Sequence, residues 1–138
     1  MIIRCIALDD EPLALQVIAQ YCSKVSYLQL DKIFTNPDEA KDYLAKNKVD
    51  LIFLDIQMPD INGMQFYKNL QEKPFAIFTT AFSNYAVEGF NVDAVDYLLK
   101  PFEFERFLKA IYKAKEVIEM QQMQDLQLSS IYVKVNYE

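Results

Sequence analysis

Six polar residues stand where this chain could do chemistry. Asp9 and Asp10 lie in "LDDEP", Asp55 in "LIFLDIQMPDINGM", Thr79 and Thr80 in "FTTAF", and Lys100 in "DYLLKPF". Each follows a run of apolar residues, where a buried strand would end. The plainer reading of Asp55 is a turn residue, since Asp is common where strands stop and Pro and Gly follow. The sharper reading is a carboxylate nucleophile held at the rim of a sheet. Three carboxylates brought together raise one another's pKa, so a positive charge has to join them. Lys100 is one candidate, and Mg²⁺ is the other, because it favours one or two carboxylates, a carbonyl, waters and phosphate oxygens. The threonines add hydroxyl donors. Such a set suits acceptance of a phosphoryl group, where positioning and charge neutralisation supply most of the catalysis.

These groups converge only if their elements end on one edge. Residues 2–8 are apolar with β-branched content and lead through Asp9-Asp10-Glu11-Pro12 into an apolar-periodic segment at 13–22, which reads as strand, loop, helix. A second strand is expected at 27–34. Asn36-Pro37-Asp38-Glu39 marks a helix start with Asn36 as cap, Pro37 in the first turn and Glu39 able to reach back, the helix running to about Lys46. Further strands are expected at 51–54, 75–79 and 94–99, and helices at 64–72, 84–90 and from 103 onward. The alternation predicts an α/β domain, a five-stranded parallel sheet with helices on both faces and right-handed crossovers. In such sheets ligands bind beyond the carboxyl ends of the strands, near the switch in strand order.

At 138 residues, with 52% hydrophobic and 25% charged, the chain is long enough for one folded core and too apolar for disorder. No apolar run approaches the roughly 20 residues that span a bilayer. The amino terminus, "MIIRCIALDD", turns acidic early and lacks a small-residue cleavage site, so no membrane partner and a cytoplasmic location are expected. A net charge of −6 argues against this segment gripping a nucleic-acid backbone by itself. Cys5 and Cys22 have no CxxC spacing, and the chain has no histidine to complete a zinc site or a Cys-His pair, so both are expected as reduced packing residues. Residues 117–127, rich in Gln and Met, extend the last helix or form a linker. The final "SSIYVKVNYE" alternates, with Ile131, Val133 and Val135 on one side, as a strand would.

Taken in order and at this spacing, the four motifs resemble the receiver domain of bacterial response regulators over roughly residues 1–118. The resemblance implies a flavodoxin-like fold with strand order 2-1-3-4-5. It implies Asp55 as the phosphorylated residue, and a Mg²⁺ site of Asp10, Asp9, Asp55 and the backbone carbonyl of Gln57. Thr80 and Lys100 would contact the phosphoryl oxygens, Tyr97 would be an aromatic switch, and a cis peptide would precede Pro101. A sensor histidine kinase would donate the phosphoryl group, and the activated form would be a homodimer. The protein would be no enzyme in the ordinary sense, only a phosphoacceptor that assists its own phosphorylation and dephosphorylation. The tail "IYVKVNYE" resembles the opening strand of the LytTR-type DNA-binding domain. That divides the chain into a receiver (1–118), a helical extension or linker (119–130) and the start of a truncated domain (131–138) through whose absent part DNA would be bound to regulate transcription.

Each residue also has a plainer role. The acids at 9–11 favour a helix start through the macrodipole, Lys100 can snorkel, Thr80 can cap a helix and Tyr97 can simply pack. Phe82, two positions beyond Thr80, would shield an acyl phosphate from water. The aromatic stretch from Phe82 through Phe90 to Phe104 would leave a contact patch for a dimer or partner. Aspartyl phosphatases of the haloacid-dehalogenase kind carry a second Asp two positions after the nucleophile; here Gln57 stands there, which counts against turnover of outside substrates. A phosphorylation-independent interaction module on the same fold is the third reading.

Overall fold

The computed structural model describes residues 1–82 and 92–136. Five of the apolar runs form strands: β1 (Ile3–Leu8), β2 (Leu28–Phe34), β3 (Leu51–Asp55), β4 (Phe75–Thr80) and β5 (Asp96–Leu99). Between and after them lie α1 (Pro12–Ser23), α2 (Pro37–Lys46), α3 (Gly63–Lys68) and α4 (Phe104–Asn136). All the strands pair in parallel, in the order β2-β1-β3-β4-β5, which is the expected topology. The winding reverses between β1 and β3, so the acids that end these two neighbouring strands share one crevice.

The side-chain alternation of the strands feeds two cores. Phe53, Ile77 and Leu98 point toward Leu15, Ile18, Phe107, Ile111 and Ile118 of α1 and α4. Ile52, Leu54 and Phe78 point the other way, toward Ala40, Leu44, Met64 and Phe66 of α2 and α3. β3 is buried along its whole length, so its final residue is fixed from both faces. Asn36 caps α2 as its position predicts: its side-chain oxygen accepts from the backbone N–H of Asp38 (2.8 Å) and Glu39 (3.2 Å).

Several expected boundaries move. Helix α3 stops at Lys68 rather than 72, because Leu70 is buried and the Tyr67 hydroxyl donates to the Pro74 carbonyl (2.7 Å), turning the chain back into β4. The expected strand at the carboxyl end is a correction: residues 131–136 continue α4. An alternating segment with no neighbouring strand among the described residues satisfies its backbone locally, and a helix already running into it supplies that pattern. Residues 119–130 are helical and exposed throughout. The helix expected at 84–90, and with it Phe90, lies outside the described residues. Cys5 and Cys22 are both buried and form no disulfide; Cys5 Sγ donates to the Gln29 carbonyl (3.5 Å), and the neighbouring Cys22 thiol together with burial pushes the Cys5 thiol well up.

Candidate functional site

The site is assembled from four strand ends. Asp9 and Asp10 follow β1, Asp55 ends β3, Thr79 and Thr80 end β4, and Lys100 follows β5. One oxygen from each of Asp9, Asp10 and Asp55 lies within 4.8 Å of the others. Asp9 and Asp55 are buried, at 1% and 2% exposure, so water does little to separate their charges. Lys100 reaches from β5 to place Nζ 2.8 Å from Asp9 Oδ2 and 3.3 Å from Asp55 Oδ1.

Local structure fixes each carboxylate. The backbone N–H of Glu11 donates to Asp9 Oδ1 (2.9 Å), which turns the chain into the Pro12 start of α1. The N–H of Gln57 reaches Asp55 Oδ1 at 3.3 Å. The loop after β3 closes on itself through a bridge between Gln57 and Asn62 and through Gly63, whose N–H donates to the Ile56 carbonyl (2.8 Å). A side chain on Gly63 would overlap the backbone carbonyl of Asp55, so only glycine lets α3 start this close to the acid. Asn62 then caps α3 on the N–H of Met64 (2.8 Å).

Burial, and next the charge of Asp9, push the Asp55 carboxyl up to about 7, against the pull of Lys100. For Lys100 burial acts downward, but its hydrogen bond to Asp9 and the charges of Asp9 and Asp55 outweigh it and hold the ammonium above its ordinary range. Three acids therefore face one cation. Asp10 Oδ1 and Asp55 Oδ2 are buried with no hydrogen-bond partner among the described residues. Two orphaned carboxylate oxygens in an acid-rich pocket fit a small, hard divalent cation with oxygen ligands.

Thr80 is 4% exposed, and its hydroxyl is engaged by the Gln57 side chain, with Nε2 donating to Oγ1 at 2.8 Å, and by the N–H of Phe82 at 3.0 Å. Gln57 thus takes part through its N–H and its amide side chain, the latter a contact that strand-end spacing does not reveal. Tyr97 is half-buried with its ring stacked on Phe78, centroids 5.6 Å apart. The Lys100–Pro101 peptide is cis. Phe82 is 55% exposed beside Thr80. One further group went unread in the sequence: Asp96 at the start of β5 takes a bidentate bond from Arg106 (2.8 and 2.9 Å) and one from Lys113 (3.2 Å), tying β5 to α4.

Sheet order and acid cluster together define a doubly wound α/β domain with a cation-competent site at its switch point. Residues 5–112 match the response regulator receiver domain, and the chain belongs to that family, whose members are phosphoacceptors in two-component signalling. It is 35% identical over 118 residues to the sensory transduction protein LytR of Staphylococcus saprophyticus, covering 83% of this chain and 46% of that protein. It is 33% identical over 122 residues to the transcriptional regulatory protein YpdB of Escherichia coli, covering 86% and 50%. The chain thus spans about half the length of these curated relatives. The crystal structure of the response regulatory domain of protein mrkE from Klebsiella pneumoniae superposes with a TM-score of 0.76 at 33% identity, over 86% of this chain and 99% of that one.

Proposed function

We propose that this chain is the phosphorylation switch of a transcription regulator, accepting a phosphoryl group on Asp55 from a histidine kinase. The observation that carries the reading is the buried Asp55 carboxylate, fixed by β3 and facing Lys100 and two further acids. A carboxylate oxygen of Asp55 attacks phosphorus, the P–N bond of the donor's phosphohistidine breaks, and the electron pair leaves with the imidazole. Lys100 turns from Asp55 to a phosphoryl oxygen, and the Thr80 hydroxyl, once Gln57 lets it go, donates to another. Tyr97 shifts as Thr80 moves, carrying the change to the surface of β5. Mg²⁺, held by Asp9, Asp10, Asp55 and the Gln57 carbonyl, would supply neutralising charge at the transferring group.

The same reading takes residues 1–118 as the receiver, 119–130 as a helical extension, and 131–138 as the start of a LytTR-type DNA-binding domain, in a cytoplasmic protein that dimerises on activation. Support comes from the relatives' names and greater length. It also comes from the absence, among the described residues, of any helix long and apolar enough to cross a membrane. An acyl phosphate has a chemical signature that tests the site. Label transferred from a phosphorylated histidine kinase should enter this chain and be released by hydroxylamine. Label that resists hydroxylamine would sit on a hydroxyl and overturn the assignment.

A further inference from the structure

Thr79 is buried at the end of β4, 1% exposed, and its Oγ1 has no hydrogen-bond partner among the described residues. A valine has the same shape and leaves nothing unpaired, whereas a buried orphan hydroxyl is costly. Such a hydroxyl gains a use only in a state that brings it a partner. The register shows what that partner is. Thr79 pairs with Asp55 on β3 and with Leu98 on β5, and residues in register on parallel strands face the same side. Lys100 lies two residues beyond Leu98 and reaches Asp55 on β3 and Asp9 beyond β1, so its stem crosses the end of β4 over Thr79. Both side chains line one groove of about 340 Å³, walled by Ala14, Ile18 and Phe102. An ammonium has three N–H donors, and two of them go to Asp9 Oδ2 and Asp55 Oδ1. The third has no acceptor among the described residues.

We infer that Thr79 is a positioning residue for Lys100: when Asp55 becomes phosphorylated, the Thr79 hydroxyl accepts the ammonium's third N–H and keeps the lysine aimed at the phosphoryl group. This rests on Asp55 being the phosphoacceptor. As Asp55 bonds to phosphorus its carboxylate loses its charge, and Lys100 is released from one of its two anchors. The N–H that Asp55 gives up goes to a phosphoryl oxygen, and the fixed hydroxyl beneath the stem takes the third, so the ammonium stays over β3 instead of swinging along the groove.

The test uses the 138-residue chain with Mg²⁺ and acetyl phosphate, reading initial phosphorylation rates by intact mass across donor concentrations. Thr79→Val should lower the maximal rate about tenfold, the expected scale for a lost hydrogen bond to a charged group, while leaving the half-saturating donor concentration unchanged. Thr79→Ser should restore it to within about twofold, and in a Lys100→Met background Thr79→Val should cost nothing further. Thr79→Val reacting at the parent rate, failure of serine to rescue, or an equal loss in the Lys100→Met background would each overturn the inference. Thermal unfolding of each variant shows that it is folded. A parent chain that takes up no phosphoryl group would overturn the assignment of Asp55 instead.

Discussion

Burial and the charge of Asp9 disfavour the charged form of Asp55 more than Lys100 favours it. Its folded-state carboxyl is raised to about 7 by burial first and Asp9 second, whereas in the unfolded chain it titrates near 4. A raised group contributes stability that is fully present below its unfolded value and lost as pH rises through its folded value. Asp55→Asn removes that loss. The variant should therefore out-stabilise the parent increasingly between about pH 4 and 7, by at most about 4 kcal/mol, with a constant gap above. Adding Mg²⁺ should raise the parent's melting temperature and narrow the gap. Melting curves over this range check it, and a gap independent of pH would contradict the cause assigned here. At this scale the sequence was informative for Asp9, Asp10, Asp55, Thr80 and Lys100, because each closes an apolar run. It was silent on the Gln57 amide that engages Thr80, on the orphan hydroxyl of Thr79 and on the close approach of Gly63 to Asp55. Those depend on which strands lie side by side and in what register, and spacing along one chain does not encode that.

Elements set the site through two fastenings. The first is the β3–α3 loop, where Gly63→Ala should push against the Asp55 carbonyl, costing at least about 2 kcal/mol and slowing phosphorylation as the acid moves. Denaturant unfolding beside a phosphorylation time course measures both. The second is the ion pair of Asp96. Burial works against this carboxylate, but Arg106, the Tyr97 N–H and Lys113 outweigh it and hold it below its ordinary value. A depressed carboxyl contributes stability above its unfolded value and loses it as pH falls through the folded one. Arg106→Ala should cost about 1–2 kcal/mol near neutrality, less than a fully buried pair because Arg106 is partly exposed, and the deficit should shrink below about pH 4. Strands and capped helices were readable because apolar runs and Asn-Pro signals are local. The early stop of α3 was not, since it follows from Tyr67 meeting Pro74. Nor was the helical state of 131–136, where alternation favours a strand but no strand among the described residues lies beside the segment and α4 runs on through it.

Among the side chains described, which run to residue 130, the last buried one is Ile118, and beyond it α4 continues through 119–130 with every residue exposed. A chain ended after residue 118 should keep its stability within about 1 kcal/mol, a shift of a few degrees in melting temperature. A larger loss would show that the extension belongs to the receiver's own core. Phosphorylation of Asp55 can be read from intact mass after incubation with Mg²⁺ and acetyl phosphate, beside Asp55→Asn. One added phosphoryl group is expected in the parent and none in the variant. Equal gain in both, or none in a parent shown to bind Mg²⁺, would mean that Asp55 is not the phosphoacceptor.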